Sequence, residues 1–412
     1  MPSRSSHTVR DAAGAVPPRL LLVIAVVILT LLGCVMIYSS SIAEALDENV
    51  PAISYLTDQL LFVAVGAAAA FVLWKWVPCR VWRGPLLWII WGVAVGLLVL
   101  VALMGIVGLG AKRWLTLGPI SLQPSEFAKI ALVLVAAHLY CEYREGSCTV
   151  SQMLTKAFLF IGIPVAFLYV TQSDLGTTII IAVGVLAVMW LGEVPLKFIG
   201  GICVLGAVFV VFAIAFTGYR SDRMLFLNPW DDGEGGQGGG FQLIHSYYAF
   251  SQGGLFGVGL GNSSEKFYLP EAETDFIFAI IGEELGMVGA LFVVALFIVV
   301  LYAGMRIANS ASSDFATMVA GSCTLMLVFQ AFLNIGCVVG LLPTTGKPLP
   351  FISSGGSSLI ATFIMVGLIL SVAKEESGPN IYEQRRANLR IVRTADSGNA
   401  SRASKRGELG RR

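Results

Sequence analysis

Charge is scarce in this chain. Of its 412 residues only 13% are Asp, Glu, Lys or Arg, 56% are hydrophobic, and the mean hydropathy is +0.79. Those proportions exclude an ordinary soluble domain, in which about a quarter of residues are charged. Cysteine is limited to seven positions (Cys34, Cys79, Cys141, Cys148, Cys203, Cys323, Cys337), all in apolar stretches or in loops assigned below to the cytoplasmic side. An outer-face disulfide framework is therefore excluded, and reduced thiols are expected. No small-residue cleavage site follows the first apolar run, which continues from a 19-residue polar start through Tyr38. It reads as an uncleaved span rather than a signal peptide. No internal repeat points to a transporter built from inverted halves.

Long apolar runs fill the rest. A spanning helix needs about 20 such residues, and ten stretches qualify, centred near Ile28, Ala67, Leu97, Val133, Val165, Val183, Val208, Val293, Leu325 and Gly367. The expected fold is an all-α integral membrane protein, a bundle of ten transmembrane helices with a long outer loop between spans seven and eight. An even number of spans puts both termini on one side, and basic residues favour the cytoplasm. With that side inside, twenty Lys and Arg fall on the inner face and six outside: Lys112, Arg113, Arg220, Arg223, Lys266 and Lys347. Lys129 remains within a span. A formal net charge of +1 conceals this asymmetry.

The chain divides into a cytoplasmic tail (1–19), a membrane domain (20–373) and a basic cytoplasmic tail (374–412) whose polar, arginine-rich composition reads as disordered. Within the membrane domain, 218–274 forms a large extracytoplasmic loop. Its GEGGQGGG run (233–240) reads as a flexible hinge. The following FQLIHSYYAFSQGG has the spacing of an interfacial or re-entrant helix.

Carboxylates and cations at membrane boundaries are costly and mark candidate sites. In LPEAETDFIFAIIGEELG, Asp275 suits either an N-cap for a span starting at Phe276 or a general base raised by its apolar setting, while Glu283 and Glu284 must face protein or water. Glu284 and Glu283 are also possible partners for Lys129. In GAKRWLTLGPISLQPSEFAK, Glu126 and Lys129 stand three apart on one helix face, so an intrahelical ion pair and an anionic ligand for Lys129 both remain open. Arg220 and Arg223 have the spacing for a phosphate fork, or else snorkel to lipid headgroups; their place on the side that the positive-inside rule disfavours leans toward the fork. Asp174 in QSDLGTT suits a helix cap. The segment LLPTTGKPLPFISSGGSS (341–358), with its prolines and glycines at membrane depth, must line a cavity or pack inside the bundle.

Taken together, KRWLTLGPISLQPSEFAK, QSDLGTT, the FQ…GLGNS stretch, LPEAETDFIFAIIGEELG and LPTTGKPLPFISSGGSS resemble one family in order and spacing: the SEDS proteins, the FtsW/RodA/SpoVE group of peptidoglycan glycosyltransferases. Gly259 to Ser263 and Leu342 to Gly346 are most similar to its division branch. Glu273, Lys347 and Ser354 depart from the family pattern, which usually has His, a small or apolar residue, and Tyr there.

The resemblance implies polymerisation of lipid II on the outer face of the bacterial cell membrane, at the division septum, with release of undecaprenyl pyrophosphate. Asp275 matches the family's essential aspartate and would be the catalytic base. Lys129, Arg113, Lys112, Arg220 and Arg223 would hold the diphosphate, with Trp114, Gln123, Ser125, Glu126, Ser246, Glu271 and Ser357 completing the substrate site. No cofactor is implied, and a divalent cation is compatible with the chemistry although no ligand set marks one. Expected partners are lipid II, a class B penicillin-binding protein, other division-complex membrane proteins and membrane lipid, with no nucleic acid. Competing readings are a lipid II flippase, an elongation-type polymerase, and a scaffold that only recruits a transpeptidase.

Overall fold

The computed structural model describes residues 16–108, 111–117, 120–216 and 225–376. Helices dominate: α1 (Pro18–Ser40), α2 (Ile42–Asp47), α3 (Ile53–Trp76), α4 (Pro85–Met104), α5 (Pro124–Arg144), α6 (Val150–Ala157), α7 (Ile163–Gln172), α8 (Leu175–Leu191), α9 (Leu196–Phe216), α10 (Phe241–Gly253), α11 (Ile277–Glu284), α12 (Gly286–Ser310), α13 (Asp314–Val338) and α14 (Gly356–Glu376). A π-turn at Phe158–Gly162 joins α6 to α7 as one continuous apolar rod. Eight helices among the described residues are long and apolar enough to cross a membrane, and the 17-residue α8 is a shorter apolar helix. The chain is therefore a multi-pass membrane protein.

Burial sorts these spans into centre and rim. The most apolar windows of α5, α13 and α14 are 83%, 78% and 83% buried, against 17% for α3 and 22% for α4, whose outer surfaces are left for lipid. Lipid supplies no hydrophobic drive between helices, so close packing must hold them. Small residues provide it. Added Cβ atoms at Gly66 and Gly367 would stand 2.7 Å from Phe363 and 2.8 Å from the Ala70 backbone, so α3 and α14 meet nearly backbone to backbone. A Cβ on Gly33 of α1 would meet the Phe351 and Ile352 backbone at 2.6 and 2.7 Å.

Three features differ from the sequence reading. A small antiparallel sheet, β1 (Ile106–Gly108), β2 (Ala111–Leu117) and β3 (Ile120–Leu122), stands between α4 and α5, where only helices and loops were expected. Its alternating residues, such as Leu115 opposite Leu122, suit a pleat better than the helical period. Secondly, no span starts at Phe276. The chain forms the short buried helix α11, breaks at Leu285, and begins the span α12 at Gly286, whose φ of +69° a side chain would strain. Carbonyls freed at the break accept from Val258 N (2.9 Å) and Gly259 N (3.0 Å). Thirdly, the glycine-rich run is no free hinge. Asp232 gathers it, accepting from the backbone N–H groups of Glu234, Gly236, Gly238 and Gly240 at 2.7–3.3 Å. The helix expected after the glycine run is α10. Of the basic tail, residues 377–412 lie outside the described residues, as do 217–224 of the long loop.

Candidate active site

Residues 271–276 form a tight turn. Glu271 sits in the left-handed region at φ +59°, and its carbonyl accepts from Thr274 N and Phe276 N at 3.2 and 3.1 Å. Its carboxylate accepts from the Thr274 hydroxyl at 2.5 Å. The turn is pinned to the 341–355 segment: Ser354 N donates to Glu273 O (2.8 Å), and the Ser353 hydroxyl donates to Thr274 O (2.5 Å) while accepting from Leu349 N (2.8 Å). Asp275 emerges at the end of this brace. Its carboxylate does not cap α11, whose first turn has no side-chain cap.

Instead Asp275 is recessed in the wall of a cavity of about 470 Å³. The cavity lining also takes in Glu271; Asn334 and Cys337 of α13; Thr344–Lys347; and Arg113 of β2. Burial, followed by the Glu271 charge, pushes the Asp275 carboxyl up to about 6, with Lys347 and Arg113 opposing the rise. The Arg113 guanidinium is oriented by two carbonyls, donating from Nε to Gln172 O and from an Nη to Ser173 O, each at 2.9 Å.

Behind the cavity runs a buried chain of alternating charge. Asp174 accepts from Lys347 Nζ at 2.9 Å, Lys347 stands 3.7 Å from Glu126, and Glu126 accepts from Lys129 Nζ at 2.6 Å. Lys129 also donates to Gln330 at 2.8 Å. None of the four charged residues is more than 2% exposed. Two cations balance two anions, which is the condition for keeping charge at such depth. Asp174 caps α8, accepting from Thr177 N at 3.0 Å. Burial works against its charge, but Lys347, Arg113 and the Thr177 bond outweigh it and hold the carboxyl down at about 2.

The other candidate residues distribute unevenly. Glu271, Arg113 and Asp275 meet at the cavity. Ser125 approaches Asp174 at 3.5 Å and so joins the charge chain with Glu126 and Lys129, away from the cavity wall. Gln123 N donates to Ser357 Oγ (2.9 Å), tying the head of α5 to that of α14, and Ser246 donates to Val338 O (2.7 Å), tying α10 to α13. Half-buried Trp114 follows Arg113 on β2 and does not line the cavity. Lys112 lies on β2 with its side chain outside the described residues, and Arg220 and Arg223 lie outside them altogether. Glu284 pairs with Lys266 (3.6 Å) and accepts from Ser39 (2.6 Å), not with Lys129; Glu283 accepts from Ser263, Ser264 N and Glu265 N. Of the remaining cavity-lining residues, none of which was among the candidates, Lys347 and Asn334 are the two that contact the base's surroundings through charge and hydrogen bonds. For Lys347 the signal was available: a lysine in a Pro- and Gly-rich segment at membrane depth. Among the described residues, no group of three or more His, Cys, Asp or Glu is placed to hold a metal ion.

Fold and cavity together define a multi-pass membrane protein with a recessed carboxylate beside a guanidinium, backed by a sealed charge network. A family profile described as "Cell cycle protein", that of the FtsW, RodA and SpoVE proteins, matches residues 19–378, and the chain belongs to this family. It is 38% identical over 364 residues to the probable peptidoglycan glycosyltransferase FtsW of Geobacter metallireducens, covering 87% of this chain and 95% of that protein. It is 38% identical over 374 residues to stage V sporulation protein E of Bacillus subtilis, covering 87% and 97%. Among solved structures, the rod shape determining protein RodA of Thermus thermophilus superposes with a TM-score of 0.63 at 28% identity, over 87% of this chain and 97% of that one. A chain from a peptidoglycan synthase complex, solved to explain coordination of polymerization and crosslinking, gives 0.68 at 26% identity, over 87% and 98%.

Proposed function

We propose that the protein is a peptidoglycan glycosyltransferase that joins the disaccharide units of lipid II into glycan strands, releasing undecaprenyl pyrophosphate, in septal wall synthesis. The observation that carries this reading is Asp275: a recessed carboxylate facing a cation-bearing cavity, in a chain whose relatives bear the name peptidoglycan glycosyltransferase. The acceptor hydroxyl gives its proton to Asp275 as its oxygen bonds to the donor's anomeric carbon. The bond from that carbon to the diphosphate breaks with inversion, and the leaving group carries away the electron pair without needing a proton. It does need positive charge, which Arg113 supplies from the cavity lining.

The membrane arrangement proposed with this activity has ten spans: the eight long apolar helices, α8 and α9. Both termini are cytoplasmic and the cavity opens outside, the side on which the positive-inside rule leaves Arg113 and Lys347 as exceptions. A class B penicillin-binding protein is the proposed partner, in keeping with the synthase complex among the structural relatives.

A transport reading, in which the lipid-linked sugar crosses the bilayer unchanged, has the buried charges of α5 in its favour. It is the weaker because that network is sealed and internally neutral. The test is glycan polymer formation from lipid II by the protein purified with its transpeptidase, wild type against Asp275→Ala, with matched thermal unfolding in detergent. Polymer from wild type alone is the expected result. Normal polymer from the variant removes Asp275 as base. No polymer from either, in an assay validated with a known polymerase, turns the reading toward transport or scaffolding.

A further inference from the structure

We infer that Lys347 is a positioning residue for Asp275: its ammonium, fixed by Asp174 and Glu126, sets the charge that the base faces across the cavity. This rests on the polymerase reading of the site.

The structure builds a slot for this side chain. A Cβ on Gly176 would stand 2.7 Å from Lys347 Cγ and 3.0 Å from Cε, so the lysine stem runs over a gap that only glycine leaves. At the far end of the slot the ammonium meets Asp174 at 2.9 Å and Glu126 at 3.7 Å. Burial alone would lower the lysine's proton affinity, but the two carboxylates reverse this and keep it charged. With its side chain 1% exposed and its donors turned to protein, the ammonium is held as a fixed charge rather than offered as a ligand contact.

Backbone geometry fixes the distance over which that charge acts. One amide nitrogen, Nδ2 of Asn334, donates to Asp275 O (2.7 Å) and to Lys347 O (2.8 Å). Gly346, at φ +63°, brings the chain so near the base that an added Cβ would lie 3.4 Å from Asp275 Oδ2. The charged groups facing Asp275 among the described residues are Glu271 from its own turn, Arg113 from β2, Asp174 from the head of α8, and Lys347. Remove Lys347 and the base faces two carboxylates and a single guanidinium, which favours its protonated, inactive form. Lys347 thus acts through Asp275 and not on the substrate.

The test is the pH dependence of lipid II polymerisation by the protein with its transpeptidase, from pH 5 to 9, for wild type, Lys347→Gln, Lys347→Met and Lys347→Arg. Gln retains a donor toward Asp174, and Met is the second neutral variant. The acid limb of both neutral variants is expected about one pH unit above that of wild type, with activity recovering at high pH. Lys347→Arg keeps the wild-type limb. A neutral variant that is slower at every pH with an unmoved limb overturns the inference, leaving Lys347 a packing role. So does failure of both neutral variants to fold while Lys347→Arg folds, because the charge then serves the fold. An infrared titration of the Asp275 carboxyl, taken as the difference from Asp275→Asn, reads the same shift without turnover. It keeps this inference testable even if wild type makes no polymer and the polymerase reading fails.

Discussion

Lys129 Nζ lies 2.6 Å from Glu126 Oε2, one turn apart on α5, and neither side chain reaches solvent. Taking away Lys129 leaves two buried carboxylates, Glu126 and Asp174, to share Lys347, and an uncompensated buried charge costs about 3–5 kcal/mol. Lys129→Met is therefore expected to lower the thermal unfolding midpoint in detergent markedly. The double variant Glu126→Gln/Lys129→Met should recover much of that loss, because the pair leaves together. Equal loss in single and double variants would show that the pair does not act as a unit.

A general base works only when ionised, and the Asp275 carboxyl is half-ionised near pH 6. Polymerisation should therefore fall about tenfold for each pH unit below that point and level off above it. Initial rates measured between pH 5 and 8 check the position of the limb. A limb near pH 4 would mean that the base is more solvated than its recess indicates.

Glu273 is pushed up from 4.5 to about 8, first by burial and then by a hydrogen bond with Glu44. Between those two values the folded chain retains a proton that the unfolded chain has released, so this group erodes stability as pH rises through the window. Glu273→Gln removes the dependence. The variant is expected to unfold above wild type at pH 8–9 and to lose that advantage toward pH 5, which thermal scans at the two pH values will read.

Gly176→Ala places a methyl group 2.7 Å from Lys347 Cγ. Overpacking of this kind costs about 1–3 kcal/mol. Lower unfolding temperature, together with a raised acid limb if the lysine is displaced, is the expected result. An alanine variant indistinguishable from wild type in both would mean that the slot is looser than described.

Asp232 holds its carboxyl near 2, chiefly through the Gly236 N–H; desolvation opposes the shift, and the N–H groups of Glu234, Gly238 and Gly240 add to it. Asp232→Ala removes the common acceptor for these donors. Protease cleavage within 233–240 should become faster while the global unfolding temperature stays near that of wild type.

Much of this was legible in the sequence, for physical reasons that can be traced residue by residue. Apolar length announces membrane helices directly, and of the two readings that the three-residue spacing of Glu126 and Lys129 left open, the structure shows the intrahelical ion pair. Asp174 ahead of Leu175 reads as a cap and is one. Asp275 stood out because a carboxylate at an apolar boundary is costly. The break at Leu285 was illegible because GEELG continues the helical period, and what stops the helix is distant: donors from 258–265 that claim the Glu283 side chain and the freed carbonyls. Lys347 was read as an outer charge and as a departure from the family pattern but not as part of the site, since the carboxylate that receives it, Asp174, is 173 residues away in sequence. The glycine run carried its composition openly and its organiser, a single aspartate, silently.

The nearly backbone-to-backbone contact of α3 with α14 bears on biogenesis. Helices enter the membrane in the order of synthesis, so α3, with Gly66 and Ala70 shaped to receive Phe363 and Gly367, must wait in the bilayer until α14 arrives. The cavity-lining residues all precede α14, but the 341–355 segment that carries several of them leads directly into it. A nascent chain halted before α14 would carry Asp275 and the cavity-lining residues but would lack the Ser357 tie to the head of α5 and the partner that α3 is shaped for.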